Sequence, residues 1–280
     1  MRTREVLSGS AHLDSISVSS QGRVALATSS LTGDLWDGSV VLTADDAVTG
    51  TMPMKAGVTD VAWLGAEILV AGDDLGNLTA WQLPAAGVVQ EPTLELGEHN
   101  EGITCLASDG DRLRVASASS DGTVRVWTTV QGSSASHVLQ HTSNLASWCK
   151  CLVHTVTWLP ELECLATGAS DGVLRIWDLR ASQPLVGRSS PLDAPLLTTA
   201  VGSAESQMLT GCEAGRVMLV DRRRLGTALK TEQVGGLAPR AAHHNALARL
   251  PSCRSLARCI STPYPLCRCT RPPSPRWLSR

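Results

Sequence analysis

Hydrophobic and polar positions alternate with a period of two over short runs along most of this chain. In SSDGTVRVWTT (residues 119–129), Val124 and Val126 point one way and Arg125 the other. In ASDGVLRIWDL (residues 169–179), Leu174 and Ile176 alternate with Arg175 in the same manner. Small residues and an Asp-Gly turn, Asp121-Gly122 or Asp171-Gly172, lead into each run, because glycine tolerates positive φ and aspartate bonds its own backbone. Each run closes on a tryptophan, Trp127 or Trp177, and the looser DDLGNLTAWQL (residues 73–83) puts Trp81 in the same place. The pattern predicts hairpins of short strands. No amphipathic helical pattern persists beyond two turns, so the chain reads as all-β.

The runs are repeats. Trp81 and Trp127 are 46 residues apart, and Trp127 and Trp177 are 50 apart. A weaker copy, EAGRVMLVDRR (residues 213–223), has Val220-Asp221 where a Trp-Asp pair is expected, 43 residues after Trp177. A first copy, SSLTGDLWDGSVVLT (residues 29–43), matches if Gly38 stands for Gly76, 38 residues on. A period of roughly 40–45 residues with a Trp-Asp ending is the signature of a WD40 blade. The expected architecture is therefore a WD40 β-propeller over residues 1–234. Five recognisable blades span about 225 residues, where seven would need about 300. The ring is expected to be incompletely closed, with apolar surface exposed on its last folded blade.

Buried polar groups need partners, and the third unit supplies a set. His99, Ser117, Asp121 and Trp127 fall where histidine can bridge the turn aspartate and a strand serine, with the serine reaching the indole N–H. His141, Thr167, Asp171 and Trp177 are the corresponding set in the fourth unit. There SNLASWCKCLVH (residues 143–154) reads as an insertion, which leaves His154 as an alternative histidine. The fifth unit lacks both a tryptophan and a placed histidine. The Ser-His-Asp combination does not read as a hydrolase, because Ser117 falls inside a strand and no G-x-S-x-G occurs. No phosphate loop or metal cluster appears either, so no catalytic residue, metal or cofactor is expected.

Charge divides the chain. Residues 235–280 hold seven Pro, eight Arg and four Cys and no acidic residue, whereas the rest carries a net charge of −10. That basic tail reads as disordered. It is either an irregular end, from splicing or an inexact gene model, or a segment that binds RNA or acidic partners. Direct nucleic-acid binding by the body is not expected. Nine Cys without framework spacing read as free thiols, with Cys105, Cys164 and Cys212 in strand-like runs. No 18-residue apolar run is present, so no membrane span is expected, and Met1-Arg2-Thr3-Arg4 is not followed by a secretory apolar region.

The stretches SSLTGDLWDGS, AGVTDVAWLG and ILVAGDDLGNLTAWQL resemble the methylosome protein 50 family, the WD-repeat partners of the type II protein arginine methyltransferase. RIWDLRASQP (residues 175–184) resembles a further segment of that family, and the likeness covers roughly residues 13–225. The fifth unit and residues 143–154 depart from it. The resemblance implies a non-catalytic adaptor that binds the methyltransferase and helps present histone and Sm-protein tails, in cytoplasm and nucleus. It implies docking through Trp36, flanked by Asp34, Leu35 and Asp37. A rival resemblance is the W-D-x-R box of cullin-type ubiquitin ligase substrate receptors, here Trp177, Asp178 and Arg180.

Overall fold

The computed structural model describes residues 12–32, 35–44, 47–83, 91–109, 112–128, 134–142, 151–159, 163–189, 191–202, 206–226 and 228–233. They form five four-stranded antiparallel sheets. Blade 1 holds β1 (His12–Val18), β2 (Val24–Thr32), β3 (Leu35–Ala44) and β4 (Ala47–Met54). Blade 2 holds β5 (Val58–Leu64), β6 (Ile68–Asp73), β7 (Asn77–Gln82) and β8 (Leu94–Gly97). Blade 3 holds β9 (Ile103–Asp109), β10 (Arg114–Ser119), β11 (Thr123–Thr128) and β12 (His137–Gln140). Blade 4 holds β13 (Val153–Trp158), β14 (Cys164–Ala169), β15 (Leu174–Asp178) and β16 (Leu185–Arg188). Blade 5 holds β17 (Leu196–Val201), β18 (Gln207–Cys212), β19 (Arg216–Asp221) and β20 (Ala228–Gln233). The fold is the all-β WD40 propeller arrangement that the repeat spacing predicts. The basic segment 235–280 and residues 143–150 lie outside the described residues.

The Asp-Gly turns form as read. Gly122 (φ 86°) and Gly172 (φ 71°) sit in the left-handed region that a Cβ would strain. Asp121 and Asp171 accept hydrogen bonds from the amides of Thr123 and Val173 just beyond the turn. In each hairpin the register puts one residue opposite a small or aliphatic partner: Trp81 on Leu69, Trp127 on Val115, Trp177 on Leu165 and Val220 on Met208. Val220 therefore fills the tryptophan position of blade 5. A register shift interrupts the pairing of the first two strands in every blade, for example between Val58 and Asp60 and between Val153 and Thr155. Such bulges add twist near the start of each first strand.

Apolar side chains on both faces of the sheets bury between neighbouring blades. Ala25, Val40 and Met52 meet Leu69 and Trp81 between blades 1 and 2. Val70 and Leu78 meet Leu106 and Trp127 between blades 2 and 3. Leu139 meets Leu165 and Trp177 between blades 3 and 4, and Ile176 meets Met208 between blades 4 and 5. Cys105, Cys151, Cys164 and Cys212 are buried free thiols within this core, as inert packing groups.

Polar links tie the blades as well. The buried Asp60 accepts from Ser15 Oγ of β1 (2.5 Å) and from the Leu106 amide of β9 (2.6 Å), so one carboxylate joins three first strands. Trp63 donates to the Ser17 carbonyl, and Arg23 lies 4.9 Å from the Trp63 ring centre. The same device recurs two blades on, where Trp158 donates to Ala107 and Arg114 lies 4.6 Å from its ring.

First strands pack in the series β1, β5, β9, β13, β17, and no comparable packing joins blade 5 to blade 1 among the described residues. The face of blade 1 that turns away from blade 2 exposes Ile16, Val18 and Val48. The expected apolar exposure thus appears on the first blade, where Leu13 is also exposed. On blade 5, Leu229 is exposed.

Candidate interaction surface

The buried polar set of blade 3 closes as predicted. Trp127 Nε1 donates to Ser117 Oγ (2.8 Å), which lies 2.7 Å from His99 Nε2. His99 Nδ1 lies 3.0 Å from Asp121 Oδ2. Asp121 also accepts from the Asn100 and Thr123 amides, and these bonds hold its carboxyl well below the usual carboxylate range despite burial. Ser117 is 0 % exposed in the middle of β10, so no substrate reaches it. The arrangement is a structural clasp.

Blade 4 departs from the prediction. Trp177 Nε1 donates to Thr167 Oγ1 (2.8 Å), and Thr167 Oγ1 lies 3.0 Å from His141 Nε2. His141, not His154, is therefore the network histidine. His154 lies in β13, so the strand takes up the last residues of the stretch read as an insertion. Asp171, however, does not reach His141. It is taken by Arg175, whose Nη2 lies 2.5 Å from Asp171 Oδ2, and His141 Nδ1 has no hydrogen-bond partner among the described residues. Burial and the nearby Arg175 push the His141 pKa down to about 3.

The first blade carries the most exposed large side chains of interest. Its β2–β3 hairpin does not turn where the others do. The pair Ala27–Val40 corresponds by register to Gly72–Leu78 and Ala118–Val124, the last pairs before the turn in blades 2 and 3. Blade 1 continues through Thr28–Ser39, Ser29–Gly38, Ser30–Asp37, Leu31–Trp36 and Thr32–Leu35. Gly38 is thus a mid-strand residue and not the counterpart of the turn residue Gly76, a correction to the repeat alignment. A Cβ at Gly38 would lie 2.8 Å from the Val58 amide, so its role is to let β3 approach the start of blade 2.

This extension carries Trp36 out of the core to 40 % exposure, beside Leu31 at 56 %. The indole lies against Gly57, where any Cβ would collide with Nε1, and it neighbours Asp74 of blade 2. Burial, then the adjacent Asp73, raises the Asp74 pKa. Leu75, next in sequence, is 64 % exposed. Asp37 accepts from Ser30 Oγ and stabilises the hairpin. Asp34 and the Leu35 side chain lie outside the described residues. Sequence reasoning missed Gly57 and Asp74, which lie beside the indole.

The W-D-x-R residues divide. Trp177 is buried in the blade 4 clasp. Arg180 is exposed but closed onto Asp178 through Nε (2.9 Å) and Nη2 (2.7 Å), which holds the Asp178 carboxyl near 2. Two of its donors are therefore already engaged by Asp178, and this reading is not favoured.

Comparison with known proteins agrees with the fold. The WD domain, G-beta repeat model matches residues 90–128 and 138–178, which cover the last strand of blade 2, nearly all of blade 3 and the first three strands of blade 4. Methylosome protein WDR77 of Xenopus laevis is 24 % identical over 231 residues, covering 78 % of this chain and 67 % of that protein. Human coronin-7 is 31 % identical over 148 residues, covering 50 % of this chain but only 15 % of coronin-7. A chain in the crystal structure of the mitotic checkpoint complex superposes with a TM-score of 0.66 at 18 % identity, over 82 % of this chain and 66 % of that one. The chain carries WD40 repeats and is similar to a methylosome protein along most of its length.

Proposed function

We propose that the chain is a non-catalytic adaptor that binds a type II protein arginine methyltransferase and helps present histone and Sm-protein tails to it, in cytoplasm and nucleus. The single observation that carries the docking site is Trp36. It stands on a hairpin longer than its counterparts, exposed, with its indole seated against Gly57 and beside Asp74. A large aromatic side chain held still before a partner arrives loses little entropy on binding and makes a natural anchor. Similarity to the Xenopus methylosome protein supports the partner's identity.

The test is co-purification of the full chain with the methyltransferase. Trp36→Ala is expected to weaken binding by about thirtyfold, as removal of a central tryptophan anchor does. Gly57→Ala keeps Trp36 but displaces its indole, and is expected to weaken binding about tenfold. Undiminished binding by Trp36→Ala, with circular dichroism unchanged, would reject the hairpin as the docking site.

A further inference from the structure

Beside the Trp36 hairpin, a groove of about 700 Å³ opens between the last strand of blade 1 and the outer strands of blade 2. Nothing in the clasp or the hairpin uses it. Met52 and Met54 from β4 and Trp81 from β7 line it, Met52 and Trp81 as core residues at 4 % and 3 % exposure, with the exposed Leu75 beside them. Thr79 pairs with Glu95, which puts the Glu95 carboxylate on the same face of blade 2 as Trp81. Glu91 lies on the rim, and Lys55 is the one cation in the lining. Glu91 and Glu95 are both exposed, and neither has an ion-pair partner among the described residues.

We propose that this groove binds an extended basic segment of a protein partner, with an arginine or lysine side chain entering it. The choice follows from the lining. Long cationic side chains have an aliphatic stem and a charged head, so they match a wall of methionine and tryptophan that ends in carboxylates. Methionine adapts its shape to the stem at little cost. Unpaired glutamates at the rim accept charge-assisted hydrogen bonds from a guanidinium or ammonium group. An acidic segment would meet three like charges, Asp73, Glu91 and Glu95, and only Lys55 in its favour. The surrounding body, at −10 over residues 1–234, draws a basic segment in from a distance. The proposal stands on the groove's own chemistry and is independent of the partner proposed for Trp36.

The probe is a fluorescein-labelled decapeptide of alternating arginine and glycine, read by fluorescence anisotropy against the full chain. Its citrulline counterpart has nearly the same shape without charge. The arginine peptide is expected to bind, and the citrulline peptide at least tenfold more weakly. Glu91→Gln with Glu95→Gln is expected to weaken binding about tenfold, and Lys55→Ala to strengthen it about twofold. Met54→Ser is expected to weaken it about threefold by removing stem contact. Glu213→Gln with Glu232→Gln removes the same charge from blade 5 and is expected to change binding by less than twofold. These four variants must first melt at the temperature of the parent chain. Equal losses from both glutamate pairs would mean diffuse attraction to an acidic surface and would overturn the proposal. So would failure of the full chain to bind the peptide, or equal binding of the citrulline form. None of these outcomes depends on Trp36→Ala, so the two proposals fail separately.

Discussion

Blades 3 and 4 carry the same polar residues in matching register, yet only blade 3 completes the chain from indole to carboxylate. In blade 3, Arg125 lies opposite Ser117 and pairs with Glu98 at 2.5 Å. In blade 4, Arg175 lies opposite Thr167, the equivalent place. The residue before the network histidine differs: Glu98 precedes His99, but Gln140 precedes His141. Lacking a carboxylate there, Arg175 turns to Asp171 and takes it from the histidine. A buried guanidinium without an anion costs several kcal/mol, more than a histidine nitrogen left without a partner. The arginine therefore wins the aspartate.

The largest test of this account compares the two histidines. His99→Ala separates Ser117 from Asp121 and opens a buried polar gap, and is expected to cost about 3 kcal/mol. His141→Ala removes one hydroxyl contact and the ring packed 5.3 Å from Trp177, while the Asp171–Arg175 pair stays intact. Its expected cost is about 1 kcal/mol. Urea midpoints of the two variants measure the difference. Equal costs would mean that the carboxylate link in blade 3 contributes nothing.

Acid should act on the two blades in sequence. His141 has a folded pKa near 3, below its value of about 6.5 in an unfolded chain. Protonation therefore favours the unfolded state. The contribution of neutral His141 is complete above about pH 6.5 and is lost as pH falls toward 3. Asp121 is depressed below its ordinary value, so its contribution is present above about pH 4 and is lost only on further acidification. At pH 5 the blade 4 term is expected to reach at most about 2 kcal/mol, with blade 3 untouched. Amide exchange, corrected for the intrinsic pH dependence, should show protection falling in β15 before β11. Simultaneous loss would contradict the assignment.

The alternation of apolar positions and the tryptophan spacing revealed the blades, because burying both sheet faces demands apolar residues at fixed register. The blade 3 clasp was legible for the same reason: its four members are polar residues in positions that must be buried. What escaped lies between repeats. Asp60 reads as an ordinary strand aspartate until β1 and β9 converge on it. The Arg23–Trp63 and Arg114–Trp158 stacks join residues 40 or more positions apart, and no local pattern announces them. Trp36 was identified by resemblance, but its supports at Gly57 and Asp74 depend on a hairpin whose length was misread when Gly38 was aligned with Gly76. The diversion of Asp171 was hidden because it depends on which carboxylates lie within reach of Arg175, and Gln140, which stands where a glutamate precedes His99, is an exposed glutamine.

The finest test reverses that one difference. Gln140→Glu places a carboxylate directly before the network histidine, as Glu98 stands directly before His99. Arg175 then has a second anion within its reach, and Asp171 is free to accept from His141 Nδ1–H. The expected gain is about 1 kcal/mol, since one buried nitrogen gains a partner while Arg175 keeps a charge pair. The more telling readout is titration. With Asp171 against it, His141 should protonate well above pH 3, and the acid loss seen in β15 should move to lower pH. Glu98→Gln makes the converse change: Arg125 should draw Asp121 away from His99, and blade 3 should then lose protection as early as blade 4. If the His141 titration stays put in Gln140→Glu, the capture of Asp171 is set by the Arg175 backbone position and not by competition between carboxylates. Arg175→Met would then be the variant that returns Asp171 to the histidine.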